Sequence, residues 1–128
     1  MAEGFARELG VGLIEPYSAG LMAVGVHKRA IAVMRELGID ISGQRSKEID
    51  AGILRTMDMV VTLCGNAEES CPWTPPEIKR MHWPIKDPVG TVGTEAEIMV
   101  EFRRARDEIK KKMELLIRQI KKEAEDKG

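Results

Sequence analysis

Cys64, Cys71 and Asp87 are the side chains whose type and placement could do chemistry. Cys64 closes the run Asp58-Met59-Val60-Val61-Thr62-Leu63, which is nearly all apolar and largely β-branched. Such a run predicts a strand buried on both faces, as in a parallel sheet. Cys64 then sits at a strand's carboxyl end, where open α/β sheets place their ligands. Cys71 follows seven residues later; across helical backbone the two Cα atoms would be ~10 Å apart at about 1.5 Å per residue. A disulfide needs them within roughly 4.4–6.8 Å. Pairing therefore requires the segment to loop out, and Gly65, Asn66 and Pro72 leave room for that. A pair bridgeable only after rearrangement suits a redox relay better than a static crosslink. The plain alternative, two ordinary core cysteines, fits the spacing equally well. A closed zinc site would need a further Cys or His pair, and neither His27 nor His82 completes a ligand pattern. Asp87-Pro88 reads either as a turn with extended backbone before proline or as a general acid that protonates a leaving oxyanion.

The elements that must position these groups follow from periodicity. Met1 to Leu9 is predicted helical, with Phe5 and Leu9 on one face and Gly10 as its stop. Val11 to Tyr17 reads as a short strand before Ser18-Ala19-Gly20. Val26 to Leu37 is an amphipathic helix presenting Val26, Ala30, Val33, Met34 and Leu37 on one face, ended by Gly38. A short helix fits Asp50 to Thr56, the strand Asp58 to Leu63 follows, and Arg80 to Trp83 is a brief last strand. A glycine-containing loop runs from Asp87 through Gly93. From Glu95 to about Ala124 a long helix turns Ile98, Phe102, Ala105, Ile109, Met113, Leu116 and Ile120 toward the core.

That order predicts one α/β domain over residues 1–128, a parallel sheet with helices on both faces. Parallel strands need crossovers, so the first helix should connect two of them. A strand and turn are accordingly expected before Met1, and the domain reads as incomplete at its N-terminus.

Composition is that of an ordinary globular chain: 128 residues, 43% hydrophobic and 32% charged. A formal net charge of -1 argues against nucleic acid or an acidic membrane as partner. Lys and Arg near the C-terminus alternate with Glu and Asp, the pattern of a solvated helix face. The first ten residues lack the apolar segment of a signal peptide, and no run reaches membrane-spanning length. A cytoplasmic location is expected, where two cysteines serve more readily as thiols or redox catalysts than as a staple.

Taken together, Thr62-Leu63-Cys64-Gly65, Cys71-Pro72 with Thr74-Pro75-Pro76, Lys79-Arg80, His82-Trp83 and Asp87-Pro88 resemble the thioredoxin-coupled arsenate reductases of the low-molecular-weight tyrosine phosphatase superfamily. Met1-Ala2-Glu3-Gly4, Tyr17-Ser18-Ala19-Gly20, Gly38-Ile39-Asp40-Ile41-Ser42 and Gly93-Thr94-Glu95 extend the resemblance over nearly the whole chain.

The resemblance implies the three-layer fold of that superfamily and a three-cysteine relay. A first cysteine in a C-x5-R loop attacks arsenate, with Asp87 as general acid. Cys64 attacks the arseno-thiol, and Cys71 resolves the resulting disulfide into a Cys64–Cys71 bridge for thioredoxin to reduce. Backbone N–H groups at a helix N-terminus would cradle the oxyanion. Some relatives hold a monovalent cation such as potassium at positions matching Glu3, Ser18 and Asp58. Those residues otherwise read as a turn brace and polar edges. A monomer without a tightly bound cofactor is implied. The sequence departs from the pattern in one respect: its two cysteines are Cys64 and Cys71, and neither begins a C-x5-R. The opening strand, expected at the centre of the sheet, would carry that loop, and these 128 residues are expected to be inactive without it. A tyrosine phosphatase and a non-catalytic thiol-exchange protein are the alternatives.

Overall fold

The computed structural model describes residues 1–18, 27–44, 50–63, 74–86 and 88–127, with side chains to 125. Its elements are helices α1 (Ala2–Leu9), α2 (Lys28–Arg35) and α3 (Ala51–Leu54), strands β1 (Met59–Thr62) and β2 (Lys79–His82), a 3-10 turn (Pro88–Gly90) and helix α4 (Glu95–Lys127). Local signals set several of the helix ends. Asp50 caps α3 by accepting from the Gly52 and Ile53 N–H groups at 2.7 and 3.1 Å. His27 caps α2, its Nδ1 accepting from the Arg29 N–H at 3.1 Å. At the other end of α2 the Ile39 N–H reaches back to the Met34 carbonyl at 3.1 Å. Gly38 makes that reversal at φ +77°, a conformation costly for a residue with a Cβ. Thr94 opens α4 with a reciprocal bond pair to Glu97: its hydroxyl accepts the Glu97 N–H and donates to the Glu97 carboxylate, both at 3.2 Å.

One cluster of buried side chains joins these elements. Phe5 and Ala6 of α1, Ala30, Val33 and Met34 of α2, Ile41, Trp83 and Ile85 meet Phe102, Ala105, Ile109, Met113, Leu116 and Ile117 of α4. The long helical stripe is thus core-facing, with Ile98 and Ile120 partly buried at its ends. Gly4 is buried where α1 crosses Ile41, and a Cβ there would lie 2.7 Å from Ile41 Cγ2. Leu37, expected on the apolar face of α2, is 39% exposed because the helix has already ended at Arg35. Val26 lies outside the described residues.

β1 and β2 pair in parallel, Met59 opposite Lys79 through Thr62 opposite His82. Among the described residues this is a two-stranded sheet. Met59, Val61 and Leu63 pack against the core while Val60 and Thr62 are buried on the opposite face. The strand expected over Val11 to Tyr17 is not formed. Residues 11–13 turn instead, with the Leu13 and Ile14 N–H groups both bonding the Gly10 carbonyl, and residues 14–18 have no regular structure. Side chains of α1 bond two backbone groups of residues 14–18. Arg7 donates to the Pro16 carbonyl at 3.3 Å, and Glu3 accepts from the Ser18 N–H at 3.0 Å. Val11, read as a strand residue, is 80% exposed.

Candidate functional site

Parallel pairing sends both strands out of the sheet at the same end. The ladder continues past the strands themselves: the Trp83 N–H bonds the Thr62 carbonyl at 2.8 Å and the Ile85 N–H bonds the Leu63 carbonyl at 2.9 Å. The Thr62 hydroxyl, buried, stands 2.8 Å from His82 Nδ1 and within 3.4 Å of the Met81 carbonyl, which ties the two strand ends together by side chains as well. His82 was assigned no function from sequence, and its place here is that brace. Cys64 follows Leu63 in the chain, and Asp87 follows Lys86. Cys64, Cys71 and Asp87 themselves lie outside the described residues, so what is described is their flanks: Leu63, buried Thr74, Lys86 and buried Pro88.

The Lys86 carbonyl accepts from Arg104 Nη2 at 3.1 Å. Arg104 is itself clamped on α4, its Nε 2.8 Å from Glu101 and its Nη1 2.8 Å from Glu108. The solvated-face reading of the basic residues holds for Lys121 and Lys122, which are exposed. It needs correction for Arg104 and Arg106. Arg106 is buried, donates to the Val33 carbonyl at 2.9 Å and to Glu36 at 2.7 Å, and so fastens α4 to the end of α2. Arg103 forks onto the same Glu36 carboxylate at 3.0 and 2.8 Å. Hydrogen bonding from Arg103, with Arg106 adding to it, holds the Glu36 carboxyl down to about 2. A carboxylate three residues before and four after Arg104 was the sequence signal that this arginine is held in place.

Of the cation candidates, Glu3 and Ser18 are brought together. Glu3 Oε1 accepts both the Ser18 N–H at 3.0 Å and the Ser18 hydroxyl at 2.9 Å, while Oε2 is 3.3 Å from Arg7 Nε. Asp58 is exposed, and its carbonyl accepts from the Lys79 N–H at 3.2 Å, so it serves as the start of the β1–β2 ladder. Among the described residues no group of three or more His, Cys, Asp or Glu side chains is arranged to hold a metal ion. No helix among them is long and apolar enough to cross a membrane.

Residues 1–126 match the family described as low molecular weight phosphotyrosine protein phosphatase. An arsenate reductase of Bacillus subtilis (strain 168) is 50% identical over 109 residues, 85% of this chain and 78% of that protein. A solved arsenate reductase in the phosphate binding state superposes with a TM-score of 0.73 at 40% identity, covering 93% of this chain and 86% of the other. A thioredoxin-dependent arsenate reductase from Corynebacterium glutamicum superposes with a TM-score of 0.59 at 25% identity, over 89% of this chain and 54% of that one.

Proposed function

The chain belongs to the low molecular weight phosphotyrosine protein phosphatase family, among its arsenate reductases, and from that premise we propose that it reduces arsenate to arsenite by a cysteine relay. The observation that carries this reading is the 50% identity to an arsenate reductase over 109 residues that include both cysteines' flanking strands. The pairing of the two strand ends supports it, since Leu63 and Lys86, the described residues that precede Cys64 and Asp87, follow strands that leave the sheet at the same end.

In the relay a first thiolate, in a C-x5-R loop that these 128 residues do not contain, forms a sulfur–arsenic bond as water leaves. Asp87 gives the leaving oxygen its proton. The Cys64 thiolate then attacks the sulfur of that adduct. The sulfur–arsenic bond breaks with its electron pair on arsenic, which departs as arsenite, and a disulfide takes its place. Cys71 attacks Cys64 in turn, freeing the first cysteine and leaving a Cys64–Cys71 disulfide. An external dithiol reduces that bridge by exchange. Thioredoxin is the reductant proposed, supported by the thioredoxin-dependent relative.

The finer architecture proposed is three layers, with helices on both faces of a parallel sheet, in a cytoplasmic monomer. Potassium is proposed as an accessory ion at Glu3 and Ser18, whose hard oxygens suit such a cation, with Asp58 as a third donor.

The test is turnover of a form that carries the C-x5-R loop, assayed for arsenite with thioredoxin and its reductase. Cys64→Ser should abolish steady-state reduction, and mass mapping of the oxidised wild type should find Cys64 bridged to Cys71. Full turnover by Cys64→Ser, with aryl phosphate hydrolysis as the main activity, would instead favour the phosphatase reading that the family's name carries.

A further inference from the structure

We propose that Arg104 is a positioning residue for the general acid, holding the main chain on which Asp87 is carried; this rests on the reading of Asp87 given above. Three edges of one guanidinium are committed. Glu101 and Glu108 hold Nε and Nη1 at 2.8 Å each, at i−3 and i+4 on the same helix. These two bonds fix the plane of the group and leave Nη2 directed at the Lys86 carbonyl, 3.1 Å away. The contact joins the most regular element of the fold to the residue immediately before Asp87. On the far side, Pro88 is buried and its carbonyl accepts from the Thr91 N–H at 3.1 Å, closing the 3-10 turn. The chain is therefore anchored on both sides of Asp87, once by a side chain and once by packing.

Chemistry gives a reason for such an anchor. A general acid must meet its leaving oxygen within hydrogen-bond reach, and a displacement of about 1 Å can cost on the order of a hundredfold in rate. Only arginine has donors in three in-plane directions, so lysine at this position would keep the charge and lose the fork. Arg103 is the natural control: it makes an equally short ion pair, to Glu36 at the C-terminal cap of α2.

Four variants test this: Arg104→Gln, Arg104→Lys, Arg103→Gln and Asp87→Asn, each in a form carrying the C-x5-R loop. Arg104→Gln is expected to lower kcat by roughly ten- to a hundredfold with KM changed little, and to flatten the basic limb of the kcat–pH profile. Arg104→Lys should not rescue it, and Arg103→Gln should stay within about twofold of wild type, as expected for an exposed ion pair. Arg104→Gln should add nothing in an Asp87→Asn background, because it acts only through that residue. In the 128-residue chain itself, Arg104→Gln should speed amide exchange at Thr91, whereas Arg103→Gln should not. Wild-type kcat and exchange in Arg104→Gln, beside a crippled Asp87→Asn, would overturn the role of Arg104 alone. An Asp87→Asn variant with full activity would overturn the general-acid reading and this inference with it.

Discussion

The bond between Glu3 and Ser18 can be weighed by truncating either partner. The Glu3 carboxylate is 4% exposed, and one of its oxygens accepts both donors of Ser18. A hydrogen bond to a charged group contributes about 1.5–3 kcal/mol net. Ser18 is only half-buried, so Ser18→Ala, which removes the hydroxyl bond to Glu3, should cost about 1.5 kcal/mol, the lower end of that range. Glu3→Ala removes both bonds to Ser18, and should cost about 3–4 kcal/mol. Arg7 reaches the same carboxylate from a side chain that is 57% exposed. Its contribution through that ion pair should be about 0.5 kcal/mol or less. Urea denaturation of the 128-residue chain, followed by circular dichroism, gives these differences directly, with unchanged m-values as the check on two-state behaviour. The decisive quantity is the double-mutant coupling: roughly 1 kcal/mol or more for Glu3 with Ser18, and clearly less for Glu3 with Arg7. A Ser18→Ala variant within about 0.5 kcal/mol of wild type, or equal couplings for the two pairs, would refute the claim that α1 holds residues 14–18 by this carboxylate.

Other outcomes follow from the same geometry. Gly4→Ala should destabilise despite alanine's helix preference of about 1 kcal/mol, because the new Cβ would lie 2.7 Å from Ile41 Cγ2 in the core and overpacking costs about 1–3 kcal/mol; a raised melting temperature would contradict it. The Glu36 carboxyl, at about 2 in the folded chain against an ordinary 4.5, binds its proton less readily when folded. Its contribution is fully present above about pH 4.5 and is lost as pH falls toward 2. Glu36→Gln should flatten that part of the stability–pH curve, and added salt should shrink the difference, since the carboxylate is partly exposed. The 128 residues as they stand should form no arsenite with thioredoxin, because neither Cys64 nor Cys71 begins a C-x5-R; robust turnover in the same coupled assay would remove the first step of the relay. Phe102→Ala, which empties a site 1% exposed and removes the ring 5.0 Å from His27, should cost about 3–5 kcal/mol in the denaturation assay.

Where the fold could be read from the chain, a local repeat carried the information. The α4 stripe from Ile98 to Ile120 repeats the helical period many times over, and the run Met59 to Thr62 is too β-branched and too apolar to be anything but a sheet strand. Val11 to Tyr17 lacked that redundancy. A short apolar run becomes a strand only if a neighbour supplies a ladder, and among the described residues no strand pairs with it. The solvated-face reading fell short at two arginines for the same reason: the Lys86 and Val33 carbonyls that Arg104 and Arg106 bond are remote in sequence, and the carboxylates flanking Arg104 signal that it is held, not what it holds. The candidate thiols and Asp87 are proposed from type and spacing and lie outside the described residues, while the side chains that brace the neighbouring strand ends, Thr62, His82 and Arg104, required the tertiary pairing to be seen.

Because β1 and β2 run the same way, the crossover from 63 to 78 that joins them begins at one rim of the sheet and returns to the other. Both cysteines belong to that crossover, yet the strands' register is held by backbone bonds from Asp58–Lys79 to Leu63–Ile85. None of those bonds uses a side chain of the crossover, so substitutions there leave the ladder's donors and acceptors in place. The register of the sheet and the path of its crossover are thus set by different parts of the chain.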